Sequence, residues 1–140
     1  MSDSSFSRPM RLRQNNHLRN LCAEIEFNTA QLIQPLFVVE DLKSDQEIPG
    51  LGETKRNSLE AVLKRIEKDL EQGVSHFILF HVPTKKALSG FSHDFSNKVI
   101  SRIKNEFGEK LFLWVDTCLC SYTTHGHCGV LGKDGIDLST

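Results

Sequence analysis

The strongest constraint on what this chain can fold into is an alternation. Three short apolar runs, Leu32–Val39, Phe77–Val82 and Leu111 to about Thr117, are separated by two stretches patterned for amphipathic helices. In the first stretch Leu59, Val62, Leu63, Ile66 and Leu70 form one apolar stripe, with Glu60, Lys64, Glu67 and Lys68 opposite. In the second, Phe95, Val99, Ile100, Ile103 and Phe107 make the buried face. Residues three and four apart share a helix face, so each stripe needs a surface to pack on. The apolar runs carry almost no polar positions and read as strands buried on both faces, the habit of parallel sheets. Strand, helix, strand, helix, strand therefore predicts an α/β fold built on a parallel βαβαβ unit. Asn57 or Ser58 is placed to cap the first helix, and Gly73 and Gly108 to end the two helices. Pro83 stops the second strand, while Pro35 weakens the centre of the first or places it at an edge. No glycine-rich dinucleotide fingerprint follows any strand.

The remainder divides into an amino-terminal arm, residues 1–28, and a domain spanning residues 29–140. Met1–Ser7 is serine-rich and reads as disordered, and Arg8–Arg13 carries three arginines in six residues, which reads as a solvated arm. Leu18, Leu21, Cys22 and Ile25 have helical spacing, predicting a short amphipathic helix with Cys22 packed on its apolar side. Asp41–Lys55 reads as a loop punctuated by Pro49, Gly50 and Gly52. Val130–Leu138 reads as a small hairpin turning at Asp134-Gly135. Lys+Arg (17) nearly balances Asp+Glu (18), which gives no field for nucleic acid or a membrane surface. No apolar run approaches the ~20 residues that span a bilayer, and the amino terminus has no secretory apolar core. With four cysteines, three of them clustered, a reducing compartment and a metal fit better than a disulfide framework, so cytoplasm is the expected location.

The chemistry concentrates at the end of the third strand. There Asp116 is followed by Cys118 and Cys120, then by His125, His127 and Cys128. Thiolate and imidazole are the ligands that zinc prefers. Structural zinc sites usually close four ligands through paired C-x2–4-C knuckles, whereas this pattern is C-x-C-x7-C with no second knuckle. Three protein ligands, Cys118, Cys120 and Cys128, would leave one position for water or substrate, as catalytic sites do. His127 could fill that position or orient a bound water. The competing reading is that these are reduced, half-buried cysteines in an ordinary loop.

The run Asp116-Thr-Cys-Leu-Cys-Ser-Tyr-Thr-Thr-His-Gly-His-Cys-Gly129 resembles the cysteine-rich segment of zinc-dependent porphobilinogen synthase (delta-aminolevulinic acid dehydratase). Arg8-Pro-Met-Arg-Leu-Arg13, Leu32-Ile-Gln-Pro-Leu-Phe-Val-Val39 and Phe77-Ile-Leu-Phe-His-Val-Pro83 are similar to successive segments of that family, in the same order. The resemblance covers nearly the whole chain, while the chain covers only the amino-terminal part of the family. It implies the first part of a (β/α)8 TIM barrel with an amino-terminal arm, and zinc on Cys118, Cys120 and Cys128. It also makes Asp116 an active-site carboxylate and 5-aminolevulinate the substrate, two molecules condensing to porphobilinogen. A complete barrel needs eight strands and about 250 residues.

The family's chemistry runs through lysines that form Schiff bases with the substrates, and these match nothing here. Such a lysine must be desolvated for its pKa to fall into a useful range. Lys43, Lys55, Lys64, Lys68, Lys85, Lys86, Lys98, Lys104, Lys110 and Lys133 all fall in loops, on polar helix faces or at strand edges. The chain alone is therefore expected to be inactive. An autonomous zinc-binding regulatory module, associating with itself or with a full-length synthase, is the alternative. A small enzyme using the open zinc position with Asp116 or His127 as base would need a dry pocket that three strands can hardly build. Three strands with helices on one side leave an apolar face and two edges uncovered. A homo-oligomer through the arm and the open sheet is accordingly expected, the arm crossing to a neighbour as the resemblance implies.

Overall fold

The computed structural model describes residues 12–25 and 27–132, together with the backbone of 135–137. Its centre is a sheet of five strands: β1 (Ile33–Val39), β2 (Gln46–Glu47), β3 (Lys55–Asn57), β4 (His76–Val82) and β5 (Phe112–Val115), in the order β2-β3-β1-β4-β5. Strands β1, β4 and β5 are the three apolar runs. They pair in parallel: Ile33 to Val39 align with His76 to Val82, and His76 to Leu79 with Phe112 to Val115. Helices α2 (Leu59–Glu71) and α3 (Asp94–Phe107) make the crossovers, completing the expected βαβαβ unit. The sheet does not close on itself.

Local chemistry explains the helix boundaries. The Ser58 hydroxyl accepts from the Ala61 N–H at 3.3 Å and begins α2. Gly73, at φ +85, ends it, and a Cβ there would meet Thr29 Oγ1 at 3.0 Å. Gly108 ends α3. Val62, Leu63 and Ile66 of α2 and Val99, Ile103 and Phe107 of α3 are buried against Leu36 and Val38 of β1 and Phe77 and Leu79 of β4. Asp69 is buried beside them because its carboxylate accepts from Arg65 Nε at 2.7 Å one helical turn away.

The two faces of the sheet are unequal. Leu36, Val38, Phe77 and Leu79 point to the helices, so by strand alternation Ile33, Phe37, Ile78, Phe80, Phe112 and Trp114 point the other way. On that side Ile33 is 50% exposed, Phe112 55% and Trp114 48%. The expectation that the third strand is buried is thus corrected. Leu111 is buried, but β5 lies at the sheet's edge and alternates between exposed and half-buried positions. The aromatic rings partly cover one another: Phe37 stacks on Phe80 at 4.8 Å and Phe112 meets Trp114 at 5.1 Å.

Three further differences have physical causes. The expected loop at 41–55 contains β2 (Gln46–Glu47) and the start of β3 (Lys55–Asn57). β3 aligns Arg56 and Asn57 with Phe37 and Val38, so the β1 edge is occupied there and not open. Pro35 lies beyond that short pairing, where β1 is locally an edge. Helix α1 (Asn16–Leu21) exists, capped by Asn15 Oδ1 accepting from the Leu18 N–H at 2.9 Å, but none of its residues is buried. Cys22 is exposed, not packed, and Leu21 and Ile25 on the same apolar side are exposed with it, while Leu18 is only half-buried. The terminal hairpin is present as β6 (Val130–Gly132) and β7 (Gly135–Asp137), with its turn, like Arg8, Arg11 and Lys133, outside the described residues. Among the described residues no helix is long and apolar enough to cross a membrane.

Candidate metal centre

The parallel pairing delivers the chemical groups to one end of the sheet. Beyond the last paired residue of β5, the Asp116 N–H still donates to the Leu79 carbonyl at 3.0 Å. The chain then leaves the sheet and turns through a short 3-10 segment, Leu119–Ser121. The Tyr122 and Thr123 amides both donate to the Leu119 carbonyl, at 2.9 and 3.1 Å. Farther on, Gly126 adopts φ +75, a left-handed turn that glycine takes without strain. The Thr123 hydroxyl donates to the His127 carbonyl at 2.9 Å, drawing the returning chain back toward Cys118.

The result is a cluster of three thiols. Cys118 Sγ lies 2.7 Å and Cys120 Sγ 3.0 Å from Cys128 Sγ, and all three sulfurs are within 4.8 Å of one another. All are free cysteines, with Cys118 and Cys120 partly covered and Cys128 exposed. Hydrogen bonds from Cys118 and Cys120 favour a thiolate on Cys128 and lower its pKa. Its bond to Cys128, reinforced by Cys118, keeps the Cys120 proton and pushes that thiol up to about 12. The two shifts run in opposite directions because the three thiols crowd one another and titrate as a group.

These residues could hold a metal ion. The donor set is soft and all-sulfur. A tetrahedral ion with metal–sulfur bonds of about 2.3 Å would set the sulfurs about 3.8 Å apart, a spreading of roughly 1 Å from the two short contacts. His127 is placed differently. Its N–H donates to His125 Nδ1 at 3.3 Å and its ring stacks on His125 at 6.0 Å. The group of mutually close ligand atoms among the described residues contains only the three cysteines.

Asp116 borders a separate cleft of about 180 Å3 beneath the thiol loop, lined also by His81, His93, Ser96 and Tyr122. His81 is buried at the end of β4 with Nδ1 unpartnered. Burial lowers its pKa, the Asp116 charge opposes that, and His93 adds to the lowering. Tyr122 is buried as well; desolvation raises its pKa and its hydrogen bond with Ser96 works against the rise. Sequence reasoning passed over this group. His81 continues the alternation of Phe77 and Leu79 toward the helices, which could have marked it as inward-facing, but Ser96 sits on another element and carried no signal.

Comparison with known proteins identifies relatives of the whole described fold. A family model described as delta-aminolevulinic acid dehydratase matches residues 6–140. The enzyme of that name from Archaeoglobus fulgidus is 42% identical over 139 residues, and that from Bacillus subtilis 34% over 139 residues. Each alignment takes in 96% of this chain and 42% of the relative. Among solved structures, porphobilinogen synthase from Toxoplasma gondii ME49, in complex with the reaction product porphobilinogen, superposes with a TM-score of 0.78 at 28% identity. That superposition covers 96% of this chain and 39% of the other. The chain thus spans about two fifths of the length of these relatives.

Proposed function

The chain belongs to the delta-aminolevulinic acid dehydratase family, and from that premise we propose that it is a zinc-binding protein of tetrapyrrole biosynthesis. In this reading Cys118, Cys120 and Cys128 hold the ion, and the chain does not condense 5-aminolevulinate by itself. The observation that carries it is the gathering of three sulfurs within 4.8 Å at the carboxyl end of a parallel strand. When bound, zinc would supply a Lewis acid with one position left for water or substrate.

The chain's own residues have definite tasks. The 3-10 turn presents Cys118 and Cys120 on one side, and the Thr123–His127 bond returns Cys128 to them. Asp116 is the candidate for the active-site carboxylate, held at the strand end through its backbone bond to Leu79. His127 is the candidate for orienting a water near the ion. Inactivity of the isolated chain is supported by its lysines: among the described ones, Lys55 is half-buried and the others are exposed. None has the desolvated setting that Schiff-base chemistry needs. Borohydride reduction with 5-aminolevulinate tests this part, because a Schiff base would be trapped as a stable adduct visible by mass spectrometry. No adduct is expected, and an adduct at a single lysine would overturn it.

A second reading, an autonomous zinc-binding module that associates with itself or with a full-length synthase, is favoured by one observation. Ile33, Phe112 and Trp114 form an exposed apolar surface on the side of the sheet without helices. Leu21, Ile25 and Phe27 of the arm are exposed as well, and a homo-oligomer would bury both sets. A reducing compartment such as the cytoplasm suits free thiols.

A further inference from the structure

The thiol loop has a buried anchor that takes no part in ligation. Tyr122 is 2% exposed and Thr123 fully buried, although they lie between cysteines that face solvent or are only partly covered. The Tyr122 hydroxyl and the Ser96 hydroxyl of α3 are hydrogen-bonded to each other. The Tyr122 ring sits edge-on to His81, Phe91 and His93, with centroids 5.4, 6.1 and 5.1 Å away. The backbone is held too. The Ala87 N–H donates to the Tyr122 carbonyl at 2.9 Å, and the Thr124 N–H to the Ala87 carbonyl at 3.2 Å. Thr123 then reaches forward to the His127 carbonyl, next to Cys128.

We propose that Tyr122 and Ser96 are positioning residues for the metal centre. Their hydrogen bond fixes the middle of the thiol loop to α3, so that Cys118, Cys120 and Cys128 are gathered before an ion arrives. The inference rests on the metal-binding reading above. The physical reason is preorganisation: a loop already closed needs less ordering when it binds, and groups that orient ligands commonly account for 10–100-fold in metal affinity. Because two hydroxyls on separate elements make one bond, removing either should have the same effect, and removing both should add little more.

The test uses the full chain and Co2+, whose thiolate charge-transfer and ligand-field bands report the geometry around the ion, with affinity measured against a chromophoric chelator. Tyr122→Phe, which keeps the ring, and Ser96→Ala should each weaken binding about tenfold. Both should change the Co2+ spectrum in the same way, with the double variant no weaker than either single one. Ser96→Thr should keep wild-type affinity, as should Ser101→Ala, an exposed position on the same helix. Wild-type affinity and spectrum in Tyr122→Phe and Ser96→Ala, or losses that add in the double variant, would overturn the proposal. If the wild type binds no metal, the metal reading fails and amide exchange decides the anchor separately. Faster exchange at Ala87 and Thr124 in Ser96→Ala then supports it, and unchanged exchange overturns it. Should Tyr122→Phe not fold, Ser96→Ala, with Ser96→Thr as its rescue, decides the proposal with the same tenfold expectation.

Discussion

The two faces of one sheet show how differently similar side chains can be satisfied. Toward the helices, Leu36, Val38, Phe77 and Leu79 meet the stripes of α2 and α3 and are almost wholly shielded. Toward the other side, Ile33, Phe112 and Trp114, no less apolar, stand about half in solvent. The thiol loop resembles the second group in exposure, since its three free thiols are partly covered or exposed. Stability is thus concentrated in the helix-covered layer, while on the proposed reading protein surface would complete the open face and a cation the sulfur cluster.

The sharpest way to break this contrast is to cut into each face. Ile66→Ala, in the closed layer, should cost about 3 kcal/mol of unfolding free energy, because a fully buried branched side chain leaves a cavity behind. Trp114→Ser on the open face should cost about 1 kcal/mol or less. Denaturant unfolding of both variants checks the pair, and equal losses would abolish the distinction. Light scattering over a concentration series sharpens it. The wild type is expected to self-associate, and the combined change Phe112→Ser/Trp114→Ser to shift the midpoint of association at least tenfold upward in concentration. A smaller effect, about 1 kcal/mol, is expected from Ser58→Ala, which removes the cap of α2 and touches the closed layer only at its edge.

The thiol cluster has its own dependence on pH. Ligation requires thiolates, so protons compete with the ion and loading falls in acid. Cys128, with its lowered pKa, gives up its proton first, whereas Cys120, pushed up to about 12, still carries one at neutral pH. Apparent zinc affinity should therefore keep rising with pH through neutrality and into the alkaline range. Competition titrations from pH 6 to about 9 measure this, and a plateau beginning at pH 7 would contradict a Cys120 ligand with a raised pKa in the metal-free protein.

The sequence disclosed the elements that bury apolar surface with a clear period. The stripes Leu59–Leu70 and Phe95–Phe107 became α2 and α3, and the three apolar runs became β1, β4 and β5. Spacing also brought attention to Cys118, Cys120 and Cys128 before any geometry was known. What stayed hidden has a common cause. Strands β2 and β3 are short and polar, formed by backbone pairing, so they leave no hydrophobic pattern. An apolar run such as 111–115 does not reveal whether one or both of its faces are covered, so the exposure of Trp114 on the uncovered face left no mark in the sequence. The spacing of Leu18, Leu21 and Cys22 marks a helix but not a partner for it, so the exposure of Cys22 was not legible. The Ser96–Tyr122 bond joins residues 26 apart, beyond the reach of local periodicity.

Zinc content is the most direct test of the central claim. The protein is purified without chelator and analysed for metal beside its Cys120→Ala/Cys128→Ala variant. About one zinc per chain in the wild type, falling to background in the variant, is the expected result. No zinc above background in the wild type, or equal zinc in both proteins, would contradict it.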